Sequence, residues 1–188
     1  MQNPSSQTWQ FGIDVSAYQG DIDWAQVKTD PKGVKYAYLR VYGSTHTTID
    51  AKVVRNATEA KKVSIPTGGY FYAVPKYKAG TTEPDLALAR SQAQLFIDGL
   101  QSAYGAGKYG DLMPFMDLED SSAYGDVLKM TVDQMLDWAM EFRTYFEKQT
   151  GVKLGLYAGH YFINDQRNKF NDGTTARGNI LKDMKLWV

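Results

Sequence analysis

Asp111-Leu112-Met113-Pro114-Phe115-Met116-Asp117-Leu118-Glu119-Asp120 reads as a short, mostly apolar strand that runs into a cluster of carboxylates. Side chains in a strand alternate faces, so Asp117 and Glu119 point one way and Met116 and Leu118 the other. Two residues apart at roughly 3.3 Å per residue, the two acids stand about 6.6 Å apart along the backbone. Like charges that near each other raise the pKa of one partner. A protonated acid beside an ionised carboxylate is the pair that glycosidic bond cleavage uses. Solvated acids at a strand end are the commoner meaning of such a stretch, so the weight falls on what surrounds it.

Strand and helix alternate on both sides. Upstream, Trp9 to Ser16 holds Phe11, Ile13 and Val15, a buried-strand pattern, with Asp14 near its end. An acid where a strand opens into a loop is a functional position in α/β folds, although a turn or cap role is the ordinary alternative. Asp21 to Lys28 is predicted helical, with Ile22, Trp24 and Val27 inward. Lys35 to Gly43 is a second strand. Arg40 inside it needs a partner, expected to be a carboxylate of the central cluster. Asp50 can cap a helix running to about Lys62. Ile65 to Pro75 is a third strand, on which Tyr70 and Tyr72 share a face. Thr82 with Asp85 matches a capping box, Pro84 suits a first helical turn, and Leu86 to Leu100 keeps helical spacing.

Downstream, Thr131 with Gln134 forms another capping box, and that helix stops at Gly151. Lys153 to Gly159 is a fifth strand. Residues 160–182 are polar with short helices expected, and Lys185 to Val188 begins a sixth strand. This alternation predicts an α/β fold with a parallel sheet curled into a barrel. Six strands are too few for a regular eightfold barrel of about 250 residues. Residues 1–8 form a polar tail, and 9–188 a single domain. In a parallel barrel the strand ends share one rim, which brings together Asp14, Ser16, Tyr42, Tyr72, Asp117, Glu119 and Tyr157.

Composition narrows the chemistry. The 188 residues carry zero formal net charge with no basic run, which argues against nucleic acid. No cysteine is present, so disulfides, thiolate metal sites and a cysteine nucleophile are excluded. The two histidines, His46 and His160, make no zinc spacing, and no cofactor motif is found. The polar start is no secretory signal, and no run is long enough to span a membrane, so synthesis in the cytoplasm is expected. Thirteen tyrosines and four tryptophans supply rings that suit sugar faces, though most are expected in the core.

The run Phe11-Gly12-Ile13-Asp14-Val15-Ser16-Ala17-Tyr18-Gln19-Gly20, followed by Ile22-Asp23-Trp24, resembles the opening of glycoside hydrolase family 25. These are muramidases, or Chalaropsis-type lysozymes, many of them phage endolysins. Tyr36 to Gly43, Gly69-Tyr70-Phe71-Tyr72, Asp117-Leu118-Glu119, Leu154 to Gly159 and Leu186-Trp187-Val188 resemble the family's later strands in order. The resemblance spans about residues 9 to 188. It implies an irregular (β/α) TIM-like barrel with fewer helices than strands, and cleavage of the β-1,4 bond between N-acetylmuramic acid and N-acetylglucosamine in bacterial peptidoglycan. By position, Glu119 would be the general acid, Asp117 an assisting carboxylate, and Asp14 the third member. Tyr72, Tyr157, Tyr42, Ser16, Arg40 and Trp187 would contact the sugar. A monomer needing no cofactor or metal is implied, acting on the wall without nucleic-acid or membrane partners. A phage protein of this kind would be released at host lysis.

Two departures stand out. Phe71 replaces the family's usual histidine. The family's final strand, with its Trp-Gln-Tyr-like motif, would follow Val188, so the barrel is expected to be truncated there or to close differently. Partial burial and the Asp117 charge are expected to keep Glu119 protonated. Three other readings compete. A family 18 chitinase-like hydrolase would have aspartates where Phe115 and Met113 stand. A sugar-binding module would not need the acid trio. A divalent metal site would use Asp117, Glu119 and Asp120.

Overall fold

A computed structural model describes residues 10–43, 45–159, 162 and 184–187. In chain order it contains β1 (Gly12–Val15), α1 (Trp24–Thr29), β2 (Tyr36–Arg40), α2 (Val53–Lys62), β3 (Thr67–Tyr72), α3 (Leu86–Tyr104), β4 (Phe115–Asp117), α4 (Val132–Thr150), β5 (Gly155–Tyr157) and β6 (Leu186–Trp187). Short 3-10 turns occupy Ala17–Gln19 and Val127–Lys129. The alternation predicted from hydrophobic spacing is therefore present, and all five strand pairs are parallel in the sequential order β1 to β6. Apart from Phe162, the segment 160–182 in which short helices are expected lies outside the described residues, as do residues 1–8.

Local chemistry sets the ends of the helices. Asp23 accepts from Gln26 N at the start of α1. At α4, Thr131 and Gln134 make both bonds of the predicted capping box, and Gly151 closes the helix in the left-handed region at φ 71°. The predicted Thr82 box is corrected: Asp85 itself caps α3 by accepting from Leu88 N, so Pro84 precedes the helix. β4 is shorter than expected. Its ladder nevertheless continues one residue, because Leu118 N donates to the Tyr157 carbonyl at 2.9 Å.

The two faces of the sheet separate the core from the site. Outward residues Leu39, Phe71, Met116 and Leu156 pack beneath the helices, against Phe96, Leu100, Met135, Phe142 and Phe146, all of them buried. Inward residues are large rings. Trp187 of β6 lies 4.9 Å from Tyr38 of β2, 5.6 Å from Phe115 of β4 and 5.0 Å from Tyr157 of β5, measured between ring centroids. A flat sheet would hold β2 and β6 four strands apart, at roughly 4.8 Å per strand. Their contact means that the sheet curls on itself. Small residues make room for the rings: a Cβ on Gly155 would sit 2.5 Å from the Phe115 ring. Among the described residues no ladder joins β1 to β6, so the sheet is curled but open.

Candidate active site

The carboxyl ends of the strands form one rim, and a cavity of about 150 Å³ opens there. Asp14 from β1, Tyr70 from β3, Asp117 from β4, Glu119 just past β4, Tyr157 from β5 and Trp187 from β6 line it. Strand alternation puts them together: Asp117 pairs in register with Tyr72 and Tyr157, and Tyr157 with Trp187. Leu118, between the two acids, is fully buried on the other face. A wider groove of about 780 Å³ lies at the opposite end of the strands, beside Lys61, Tyr104 and Lys108. Its one carboxylate, Asp111, accepts from Thr67 N, so the groove holds no acid pair.

Electrostatics distinguish the acids. Asp117 is 5% exposed, and its Oδ1 is buried without a hydrogen bond. Burial, then the charges of Glu119 and Asp14, push its pKa up to about 8. Glu119 is half-buried, and its pKa is raised by burial and then by Asp120. Burial acts on Glu119 as expected, but the charge that raises its pKa is that of Asp120 and not the expected Asp117. Asp117 sits deeper, and burial holds its carboxyl protonated at neutral pH.

The other candidates divide. Tyr157 and Trp187 line the cavity. Tyr72 stands beside it, its hydroxyl donating to the Asp120 carbonyl at 3.1 Å, its pKa pushed to about 12 by burial and then by Glu119 and Asp117. Arg40 is corrected: its Nε and Nη2 donate to Asp50 Oδ2 at 3.0 and 2.8 Å, not to the central cluster. Ser16 is not among the residues that line the cavity. It is buried, accepts from Tyr18 N and exchanges bonds with Gln19, capping the turn after β1. Tyr42 packs against Phe71 and approaches Gly99 of α3, outside the cavity lining. For the metal alternative, no group of three histidine or carboxylate ligands is arranged to hold an ion among the described residues.

Two residues near the site were not singled out from sequence. Tyr70 was visible as sharing a face with Tyr72, and it lines the cavity. His46 had no such signal. Its ring stacks on Phe71 at 4.7 Å, and its Nε2 lies 2.6 Å from the Tyr72 carbonyl. A carbonyl only accepts, so Nε2 carries the proton. Burial lowers the His46 pKa, which keeps the ring neutral. Phe71 itself points outward, fully buried between Phe96 and Phe142.

Known proteins resemble this chain in sequence and fold. Lysozyme M1 of Streptomyces globisporus is 26% identical over 163 residues, covering 85% of this chain and 50% of the relative. The chain spans about half the length of the curated relatives it matches. Among solved structures, the spore cortex lytic enzyme SleM of Clostridium perfringens superposes with a TM-score of 0.76 at 32% identity, over 95% of this chain and 52% of that one. The catalytic domain of endolysin Ply40, from a bacteriophage of Listeria monocytogenes, shares the fold with a TM-score of 0.62 at 22% identity, over 80% and 64% of the two chains. The profile of glycosyl hydrolases family 25 matches residues 13–188, and the chain belongs to that family.

Proposed function

We propose that this chain is an N-acetylmuramidase that hydrolyses the β-1,4 bond between N-acetylmuramic acid and N-acetylglucosamine in peptidoglycan. The observation that carries this is the convergence of Asp14, Asp117 and Glu119 on one small, ring-walled cavity in a family 25 chain. Glu119 is the acid. It stands at the mouth, half-exposed, with a raised pKa, where a leaving oxygen can reach it. Asp117 is the deep partner. Its unbonded Oδ1 suits the N–H of a 2-acetamido group. An N–H donor there favours the carboxylate form of Asp117 and leaves Glu119 as the protonated member of the pair.

The reaction then runs in two steps. Glu119 gives its proton to the glycosidic oxygen and the C1–O bond breaks. The substrate's acetamido oxygen closes on C1 to an oxazolinium ion, whose N–H is held by Asp117. Water then attacks C1, losing its proton to Glu119, as the C1–O bond of the oxazolinium opens to restore the acetamido group, and the product keeps the β configuration. Direct attack by water activated by Asp117 or Asp14 would invert it instead. The curl of the sheet fits the same reading. We infer an irregular (β/α) barrel, supported by the Tyr38–Trp187 contact across the interior.

Proton NMR of purified peptidoglycan during digestion tests both levels. New reducing ends should appear first as the β anomer. A first-formed α anomer would overturn the substrate-assisted route, and the absence of new anomeric signals would overturn the muramidase reading itself.

A further inference from the structure

Tyr18 is the most exposed large aromatic among the described residues, at 85%, and it stands on the active-site rim. It belongs to the Ala17–Gln19 turn that directly follows β1. An exposed ring on a loop is ordinarily free to rotate, and ordering it on binding costs affinity. Tyr18 is already held. The Arg40 guanidinium lies 4.9 Å from the centre of its ring. Arg40 is in turn fixed by two bonds to Asp50 Oδ2, whose side chain is 1% exposed. The same Oδ2 accepts from Ala17 N at 3.0 Å, pinning the turn itself. Ser16 and Gln19 complete a capping box across it. A buried carboxylate, a cation and a capped turn thus converge to keep one tyrosine oriented in water.

Asp50 also ties down the chain ahead of α2, its Oδ1 accepting from Lys52 N at 3.0 Å, so the ring stands on a rigid base although it buries almost nothing itself. The platform is also continuous with the cavity. Arg40 pairs in register with Tyr70, which lines the cavity beside Asp14.

We propose that Tyr18 is a sugar-stacking platform, a subsite for an N-acetylated hexosamine ring of the glycan strand beyond the residues held in the acid-lined cavity. This rests on the muramidase reading and extends it by one binding position. The open face of the phenol meets the apolar C–H face of the pyranose, and the preset orientation removes the ordering cost. Tyr18 touches no reacting atom, so its effect falls on binding.

Calorimetric titration with alternating N-acetylglucosamine–N-acetylmuramic acid oligomers, a tetrasaccharide and an octasaccharide, tests this. The protein is the Glu119→Gln variant, alone or with Tyr18→Ala or Tyr18→Trp added. An aromatic face of this kind is worth up to about tenfold in affinity, so Tyr18→Ala should weaken octasaccharide binding by that order while Tyr18→Trp retains it. With Glu119 in place, Tyr18→Ala should raise KM by about the same factor and lower kcat much less. Unchanged affinity of Tyr18→Ala for both lengths would overturn the platform, as would a fall in kcat with KM unmoved. Absence of binding in every variant, Tyr18 intact included, would overturn the muramidase reading and the platform with it.

Discussion

Glu119→Gln is expected to cut the release of reducing ends from purified peptidoglycan by about a thousandfold or more, the scale of a lost general acid. Gln keeps the volume and removes the proton that the leaving oxygen needs. The residue is half-buried at the cavity mouth, so the fold should survive, and the circular dichroism and melting temperature should stay close to the parent's. The change has a second reach. The Glu119 charge is the largest electrostatic cause, after burial, of the raised Asp117 pKa. Removing it should let the Asp117 pKa fall toward the ordinary carboxylate range, which a carboxyl-carbon NMR titration would follow. Near-parental activity in this variant would show that the acid lies elsewhere.

Asp117→Asn is expected to lower activity by at least about a hundredfold and, at alkaline pH, to make the protein more stable. The sign follows from proton binding. Folded Asp117 has a pKa of about 8 against an ordinary value of 3.8. Between those values the native state binds more protons than the unfolded chain, so stability declines as pH rises through that window. At about 1.4 kcal/mol per pKa unit the full cost above pH 8 is on the order of 5 kcal/mol as a ceiling. Asn carries no such cost. Its melting temperature should match the parent's near pH 4 and exceed it near pH 8, by at most roughly 10–20 °C for a chain of this size. Equal differences at the two pH values would show that Asp117 is not held protonated by the fold. The result would also illustrate a site kept reactive at the expense of stability.

How far the sequence carried depended on the range of the interaction. The strands were legible because alternation is local: Met116 and Leu118 pack outward while Asp117 and Glu119 face the cavity. The partner of Arg40 was not legible. Asp50 lies ten residues on, at a helix start where a cap was the simpler meaning, and only the return of the chain after β2 brings it back. Tyr42 was placed on the rim by extending β2. The strand ends at Arg40, the backbone turns, and the ring packs toward Phe71 and α3 instead. The cap that Ser16 makes with Gln19 was legible in their local spacing, though the sequence reading did not use it. The relative burial of Asp117 and Glu119 depends on neighbours from β1, β3 and β5, which no spacing within Asp111–Asp120 encodes.

The central claim concerns which bond is cut, and the new end of the glycan reports it. Purified peptidoglycan would be digested with this chain, reduced with borohydride and hydrolysed to its sugars. A muramidase leaves N-acetylmuramic acid at the new reducing end, so N-acetylmuramitol is the expected product. Recovery of N-acetylglucosaminitol in its place, or of no newly reduced sugar at all, would contradict the assignment of Asp14, Asp117 and Glu119 to this bond.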